Sequence, residues 1–303
     1  MRIVIIGGSG MIGSAVSKMA VDRGHQVVIL TRQTPPTITN TQNPLYQHWD
    51  GKHAESLEEL IDGCDAVINL AGQNIGNKRW TERRKQELLQ SRLEPSTAIV
   101  AAIKKCNKRP AALIQASAVG IYGTGDEVKT ESSSPGTDYL SKLAIQWEEA
   151  TREVEGLGVR RVVIRSGVVL QKRRGVLARL ELPFKLFIGG PIGSGRQVYS
   201  WIHINDEAAA ILFLVEKSTC RGVYNLTAPN PETNSQFGRI LGKVMQKPFW
   251  LPVPGFALRM VLGEMSTLVL DGQRVLPKRL LEEGYVFEYS GLQSALVDLL
   301  KAR

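Results

Sequence analysis

The chain has 303 residues, 43% of them apolar and 22% charged, with a formal charge of +9. That length and balance suit a globular protein with one large core or two joined ones, and exclude a disordered or fibrous chain. No run approaches the ~18 uninterrupted apolar residues of a membrane span.

The positive charge favours anionic ligands through its long-range field. Nucleic acid is not the expected one, because the basic residues are scattered in short clusters such as Lys172-Arg173-Arg174 and none is interleaved with aromatics. Cys64, Cys106 and Cys220 are odd in number, far apart and without a C-x-x-C pair, so neither a disulfide framework nor a zinc site is expected. The four histidines show no metal-ligand spacing, and no metal is expected. Met1-Arg2-Ile3 leads straight into an apolar run with no room for a signal peptide, which predicts a cytoplasmic protein.

The run Ile3-Val4-Ile5-Ile6 is followed at once by Gly7-Gly8-Ser9-Gly10-Met11-Ile12-Gly13 and an amphipathic stretch, which reads as strand, tight turn, helix. This is a dinucleotide-binding entry. Side chains at the glycines would hold the backbone away from a pyrophosphate, and the last glycine lets helix and strand pack closely. The free N–H groups of the new helix then face the phosphates. Gly7, Ser9, Gly10, Met11, Ile12 and Gly13 are therefore candidate cofactor contacts.

Strand-like and helix-like segments alternate through the first two-thirds, the signature of parallel βαβ units. A helix over 11–20 stops before Gly24, placed as a C-terminal glycine cap. A strand spans 26–31, and a Pro/Thr/Asn-rich loop over 34–44 leads to a short strand ending at His48-Trp49-Asp50. Helix 55–61, strand 66–70, long helix 82–105, strand 111–117, helix 141–155 and strand 160–165 follow. Helix 205–217 and strand 223–227 close the main sheet. The tail is expected to hold helices at 235–245, 256–270, 277–283 and 292–300, with an extended piece at 248–254.

The fold class is thus α/β: an NAD(P)-binding, Rossmann-type, doubly wound parallel sheet over 1–228 and a smaller α/β C-terminal lobe over 229–303. Residues 171–200 are expected to contribute to the smaller lobe. Ligand belongs in the crevice outside the carboxyl ends of the strands.

NAD enzymes commonly carry an acidic residue ~20 positions beyond the glycine turn, where it bonds the ribose hydroxyls. Here the chain reads Leu30-Thr31-Arg32. No carboxylate stands there to repel a 2′-phosphate, and Arg32 can pair with one. NADP(H) is therefore predicted over NAD(H).

Further segments complete a pattern: Asn69-Leu-Ala-Gly72, Ser117-Ala-Val-Gly-Ile-Tyr-Gly123 and Arg165-Ser-Gly-Val-Val-Leu170, each following a strand. With the glycine turn they resemble an extended short-chain dehydrogenase/reductase. Arg79-Trp80, Ser91-Arg92-Leu93, Gly189-Gly-Pro-Ile-Gly-Ser-Gly195, Trp201-Ile-His-Ile204 and Gly272-Gln-Arg-Val-Leu-Pro277 resemble, more narrowly, the atypical epimerase-like family 39U, over essentially the whole chain. The resemblance implies NADP(H) contacts at Thr31, Arg32, Leu70, Ala71, Glu87, Arg92 and Val169. Small residues such as Ala71 and Gly72 admit the cofactor backbone, Arg92 can meet a phosphate, and Val169 can wall the nicotinamide.

Chemistry in this superfamily normally uses a Tyr-x-x-x-Lys pair, the ammonium lowering the phenol pKa, with a serine that orients the substrate oxygen. This chain reads Asp138-Tyr139-Leu140-Ser141-Lys142, so Tyr139 stands three residues before Lys142 instead of four. One position on a helix is ~100° and ~1.5 Å, enough to misplace a proton. Tyr139, Lys142 and the strand-end Ser117 remain the catalytic candidates, Ser117 also reading as a hydroxyl that only bonds its surroundings. His203, between two isoleucines, reads as structural. Tyr122 could line the pocket, and at least one of Trp80 and Trp201 belongs to the core.

Two functions stay open. One is an NADP-dependent oxidoreductase or epimerase with a nonstandard proton relay, acting on a small molecule for which a sugar nucleotide is the candidate class. The other is a catalytically silent NADP(H)-binding regulator or scaffold. A homodimer is compatible with either.

Overall fold

The computed structural model describes residues 1–32 and 43–301. Most of the loop expected at 34–44 lies outside the described residues. β1 (Arg2–Ile6), α1 (Met11–Asp22), β2 (Gln26–Thr31), β3 (Leu45–His48), α2 (Ala54–Ile61), β4 (Ala66–Asn69), α3 (Glu82–Lys105) and β5 (Ala112–Ala118) succeed one another as alternating units. Gly24 adopts φ +81 just beyond α1, and its N–H bonds the Val21 carbonyl, as a glycine terminator does.

Beyond β5 come β6 (Gly125–Lys129), α4 (Tyr139–Glu149), β7 (Arg160–Ser166), β8 (Val168–Gln171), α5 (Gly175–Lys185), β9 (Val198–Tyr199), β10 (Trp201–His203), α6 (Ile204–Glu216) and β11 (Gly222–Leu226). Seven strands form one parallel sheet in the order β11-β7-β5-β4-β1-β2-β3. The order reverses beside β1, which is the switch point where α/β sheets take ligands. Strand residues alternate between two cores. Ile3, Ile5, Ile29, Ile68 and Ile114 pack toward one face with α1 and α6 residues, while Val4, Ile6, Val28, Val67 and Leu113 pack toward the other with α2 and α3 residues.

The tail holds β12 (Glu232–Thr233), α7 (Asn234–Met245), α8 (Gly255–Leu262), α9 (Thr267–Leu270), β13 (Gln273–Val275), α10 (Lys278–Glu282) and α11 (Leu292–Lys301). It does not stand apart: β13 pairs with β6, β12 pairs with β9, and α11 packs on α7. Phe237, Leu241, Leu296 and Leu299 join the hydrophobic core that covers one face of the main sheet. The single helix expected at 256–270 is broken into α8, a 3-10 turn at Gly263–Ser266 and α9. Gly263 has φ +60, and a Cβ there would lie 2.8 Å from the Arg79 Nε, so the chain turns where only glycine fits. Helix α5 and the small ladders were not anticipated by the periodicity.

Among the described residues no helix is long and apolar enough to cross a membrane.

Candidate cofactor and substrate site

A cleft of about 270 Å³ opens at the carboxyl ends of β1, β2 and β4. Gly7, Ser9, Gly10, Thr31, Arg32, Leu70, Ala71 and Gly72 line it. A Cβ on Gly7 would lie 2.8 Å from the Leu70 carbonyl oxygen, and one on Gly13 would lie 2.4 Å from the Gly7 oxygen. The glycines thus press turn, helix and neighbouring strand together. Gly10 caps α1 with no side-chain hydrogen bond, so the N–H groups of the first turn, Met11 to Gly13, have no capping acceptor. This is a bare helix terminus of the kind that receives phosphate.

The exposed Arg32 stands on the rim. The two lining carboxylates are already engaged: Asp50 accepts the Lys52 and His53 N–H groups and pairs with the His53 ring, while Glu94 meets Lys52 at 3.2 Å. The Lys52 N–H leads in holding the Asp50 carboxyl down to about 2. Trp49, Asp50, Gly51 and Lys52 complete this wall. The sequence signal that could have found them is their place just beyond a parallel strand.

A second cavity, of about 340 Å³, lies among the ends of β5 and β7, helix α4 and the 264–273 segment. Its wall is largely aromatic and aliphatic, with Trp80, Tyr139, Leu143, Trp147, Val168 and Tyr199 prominent. Arg92 stands between the two spaces. Its guanidinium lines the cavity, sits 4.8 Å over the Trp147 ring, and would be 3.4 Å from a Cβ on Gly72 in the cleft wall. Among the described residues its hydrogen bonds go to the Leu88 and Gln73 carbonyls and the Ser91 hydroxyl, with no carboxylate partner. Burial lowers its pKa to about 10. A buried cation held by neutral groups is a ready anion ligand.

The three catalytic candidates are not brought together. Tyr139 lines the cavity, its hydroxyl 3.5 Å from the Lys85 carbonyl oxygen. Burial raises its pKa, against the pull of Arg92 and Lys85, so the phenol lacks the lowering that the family chemistry requires. Lys142 is exposed and outside the cavity wall. Helix α4 begins at Tyr139, capped by Asp138, whose carboxylate accepts the Ser141 N–H at 2.8 Å. Cavity residues 139, 140, 143, 144 and 147 share one helical face, and Lys142 lies roughly 130° from its centre.

Ser117 also departs from the catalytic reading. Its hydroxyl donates to Glu148 at 2.6 Å, and that carboxylate is clasped by Arg165 through two bonds of 2.8 Å. Arg165 continues to Tyr122, which donates to Asn225, so Tyr122 is a buried network member and not part of the cavity wall. The cavity is faced by the next residue, Ala118. Val169 shows the same one-residue offset: it packs in the core while Val168 lines the cavity. Neighbours on a strand face opposite ways, and motif spacing does not say which faces ligand.

Glu87 lines neither space and pairs with Arg83 and Arg84, the Arg84 bond leading in lowering its carboxyl pKa. Trp201 is fully buried core, its Nε1 donating to the Asn230 carbonyl, whereas Trp80 is cavity wall. His203 caps α6, Nδ1 accepting the Asn205 N–H, with Asp298 3.3 Å from Nε2. Burial lowers its pKa, which fits a neutral structural imidazole.

Residues 3–227 match the model of the NAD dependent epimerase/dehydratase family. The chain belongs to that family. Residues 253–299 match a second model, a domain of unknown function designated DUF1731. The chain is 42% identical over 306 residues to the epimerase family protein YfhF of Bacillus subtilis, covering 100% of this chain and 99% of that one. Among solved structures it is similar to human epimerase family protein SDR39U1 (isoform2), crystallised with NADPH, with 34% identity, a TM-score of 0.91 and full coverage of both chains. The nucleoside-diphosphate sugar epimerase of Corynebacterium glutamicum shares 28% identity at a TM-score of 0.81, over 99% of this chain and 58% of that one. The family resemblance read from the sequence is thereby established.

Proposed function

We propose that the protein is an NADP(H)-dependent oxidoreductase or epimerase-type enzyme acting on a hydroxyl or carbonyl carbon of a small molecule held in the aromatic cavity. The observation that carries this reading is the adjacency of a glycine-lined cleft and a largely apolar cavity, with the buried Arg92 lining the cavity and packing against Gly72 of the cleft wall. The cleft residues fit the cofactor chemically. Uncapped N–H groups of α1 receive a pyrophosphate, and Arg32 takes the 2′-phosphate at a strand end lacking the acidic residue NAD enzymes use. When bound, the nicotinamide supplies or accepts hydride. The chain's own work is to orient the substrate, exclude water and move a proton.

The human relative with NADPH supports the cofactor, and the corynebacterial relative's title names the nucleoside-diphosphate sugar class as the first substrates to try. Calorimetry on cofactor-stripped protein tests the first part: NADPH binds in preference to NADH, and a preference for NADH refutes the assignment. A panel of sugar nucleotides and small carbonyls, followed by NADPH fluorescence, tests the second. The silent-regulator reading draws on Lys142 standing outside the cavity. Tight NADPH binding with no oxidation across the panel would establish it instead.

A further inference from the structure

The cavity contains a hydroxyl that the motif reading passed over. Ser166 ends β7, directly opposite Ala118 in the parallel ladder, and both residues line the cavity. It therefore sits one strand away from the β5 end where the superfamily's serine was expected. Its Oγ is 2.5 Å from Oε1 of Glu207, in the first turn of α6. Among the described residues it is the one wall hydroxyl joined to a carboxyl group. Tyr199 and Ser200 are instead bonded to amide groups.

Glu207 is completely buried, and among the described residues its second oxygen, Oε2, has no hydrogen-bond partner. Such an oxygen is costly as part of a carboxylate and tolerable in a protonated carboxyl. Burial pushes the group up to about 8, Ser166 pulling the other way. Charged groups on the surrounding elements are turned elsewhere. Lys18 and Asp22 of α1 are exposed. Arg160 of β7 bonds carbonyls at the far end of α6, while Arg161 bonds Thr151 and Glu155, and Arg165 bonds Glu148. His203 of β10 caps α6. The adjacent Asp206 accepts the Glu288 and Tyr289 N–H groups and the Tyr285 hydroxyl.

We propose that Ser166 is the catalytic hydroxyl of this cavity and that Glu207, acting through it, is the positioning residue that supplies and recovers its proton. The proposal rests on the redox reading above. The protonated Glu207 donates its carboxyl O–H to Ser166 Oγ, which leaves the serine hydrogen aimed into the cavity. As a substrate carbonyl carbon gains hydride from the reduced nicotinamide, its oxygen takes the Ser166 hydrogen. The Glu207 O–H bond breaks to restore the hydroxyl, leaving a carboxylate. That carboxylate is reprotonated from water through Ser166 once product leaves. In the oxidative direction the same bonds form and break in reverse.

Infrared titration of NADPH-loaded wild type, Glu207→Gln and Ser166→Ala reads the group without turnover. The expected result is a protonated-carboxyl band that persists well above the ordinary carboxylate range, vanishes in Glu207→Gln and shifts in Ser166→Ala. With a carbonyl from the panel, Ser166→Ala should lower kcat by about 100-fold or more, Ser166→Thr should restore much of it, and NADPH affinity should stay within about twofold. Glu207→Gln should lower kcat and flatten its alkaline limb. A Glu207 that titrates as an ordinary carboxylate, or substituted enzymes with unchanged kcat and pH profile, overturns the relay alone. Wild type that binds NADPH but reduces nothing overturns the relay together with the redox reading.

Discussion

Arg32, Ser117 and Glu207 illustrate how differently single side chains earn their roles. Under the proposed function Arg32 acts by charge at the cleft rim, so Arg32→Asp should weaken NADPH binding by roughly 10–100-fold, the equivalent of about 1.5–3 kcal/mol, with little change for NADH. Paired calorimetric titrations of the two cofactors check this. Ser117 acts by supporting Glu148 and Arg165. Ser117→Ala should cost about 1–2 kcal/mol of stability while sparing NADPH affinity, whereas Glu148→Ala, which strands a buried guanidinium, should cost about 3–5 kcal/mol in urea unfolding.

For Glu207 the folded value of about 8 lies above the 4.5 of a free carboxyl, so the folded state binds the extra proton between them. Stability contributed by this group is full below the unfolded value and is lost as pH rises, by up to about 1.4 kcal/mol per pH unit across that interval. The difference between wild type and Glu207→Gln in urea unfolding from pH 5 to pH 8 should therefore narrow or invert as pH rises. A flat difference would show that the carboxyl is not protonated in the fold.

At the scale of elements, the entry turn depends on contact distances. A methyl at Gly13 meets the Gly7 oxygen at 2.4 Å and the Gly8 Cα at 2.6 Å, both backbone. Gly13→Ala should push α1 off β1, costing about 1–3 kcal/mol and sharply weakening NADPH binding. Gly63 has φ +72 but nothing within 4 Å of a Cβ. Gly63→Ala should cost only the backbone strain, about 1–2 kcal/mol, with cofactor affinity intact. Thermal melts and NADPH titrations of the two variants separate close packing from turn geometry. Equal effects on affinity would refute the distinction.

Over the whole molecule, the C-terminal segment returns to cover the sheet. Leu292, Leu296 and Leu299 of α11 are buried in the core shared with α1 and α6, and Asp298 sits beside the His203 that caps α6. Deleting residues 292–303 should uncover that core and remove several kcal/mol of stability, on the order of 1.5–3 for each buried leucine. An unshifted melting temperature would contradict this account. Helix α6 thus carries Glu207 and begins at the His203 cap, beside which Asp298 of the tail sits.

The βαβ order, the glycine turn and the helix it opens were legible in the sequence because they follow from local rules: strand runs, glycine spacing and caps. Arg32's place was legible for the same reason, as the residue just past the second strand. The break at Gly263 and helix α5 were not, since long-range contacts override weak local periodicity there. The proton-handling group was out of reach for a stricter reason. Whether Ser117 or Ala118 faces the ligand, and whether Ser166 meets a carboxyl 41 residues later, depends on pleat direction and on how α6 packs against β7. Sequence determines which chemical groups exist and the order in which they come; only the packed sheet decides which of them share a wall and which are deprived of water.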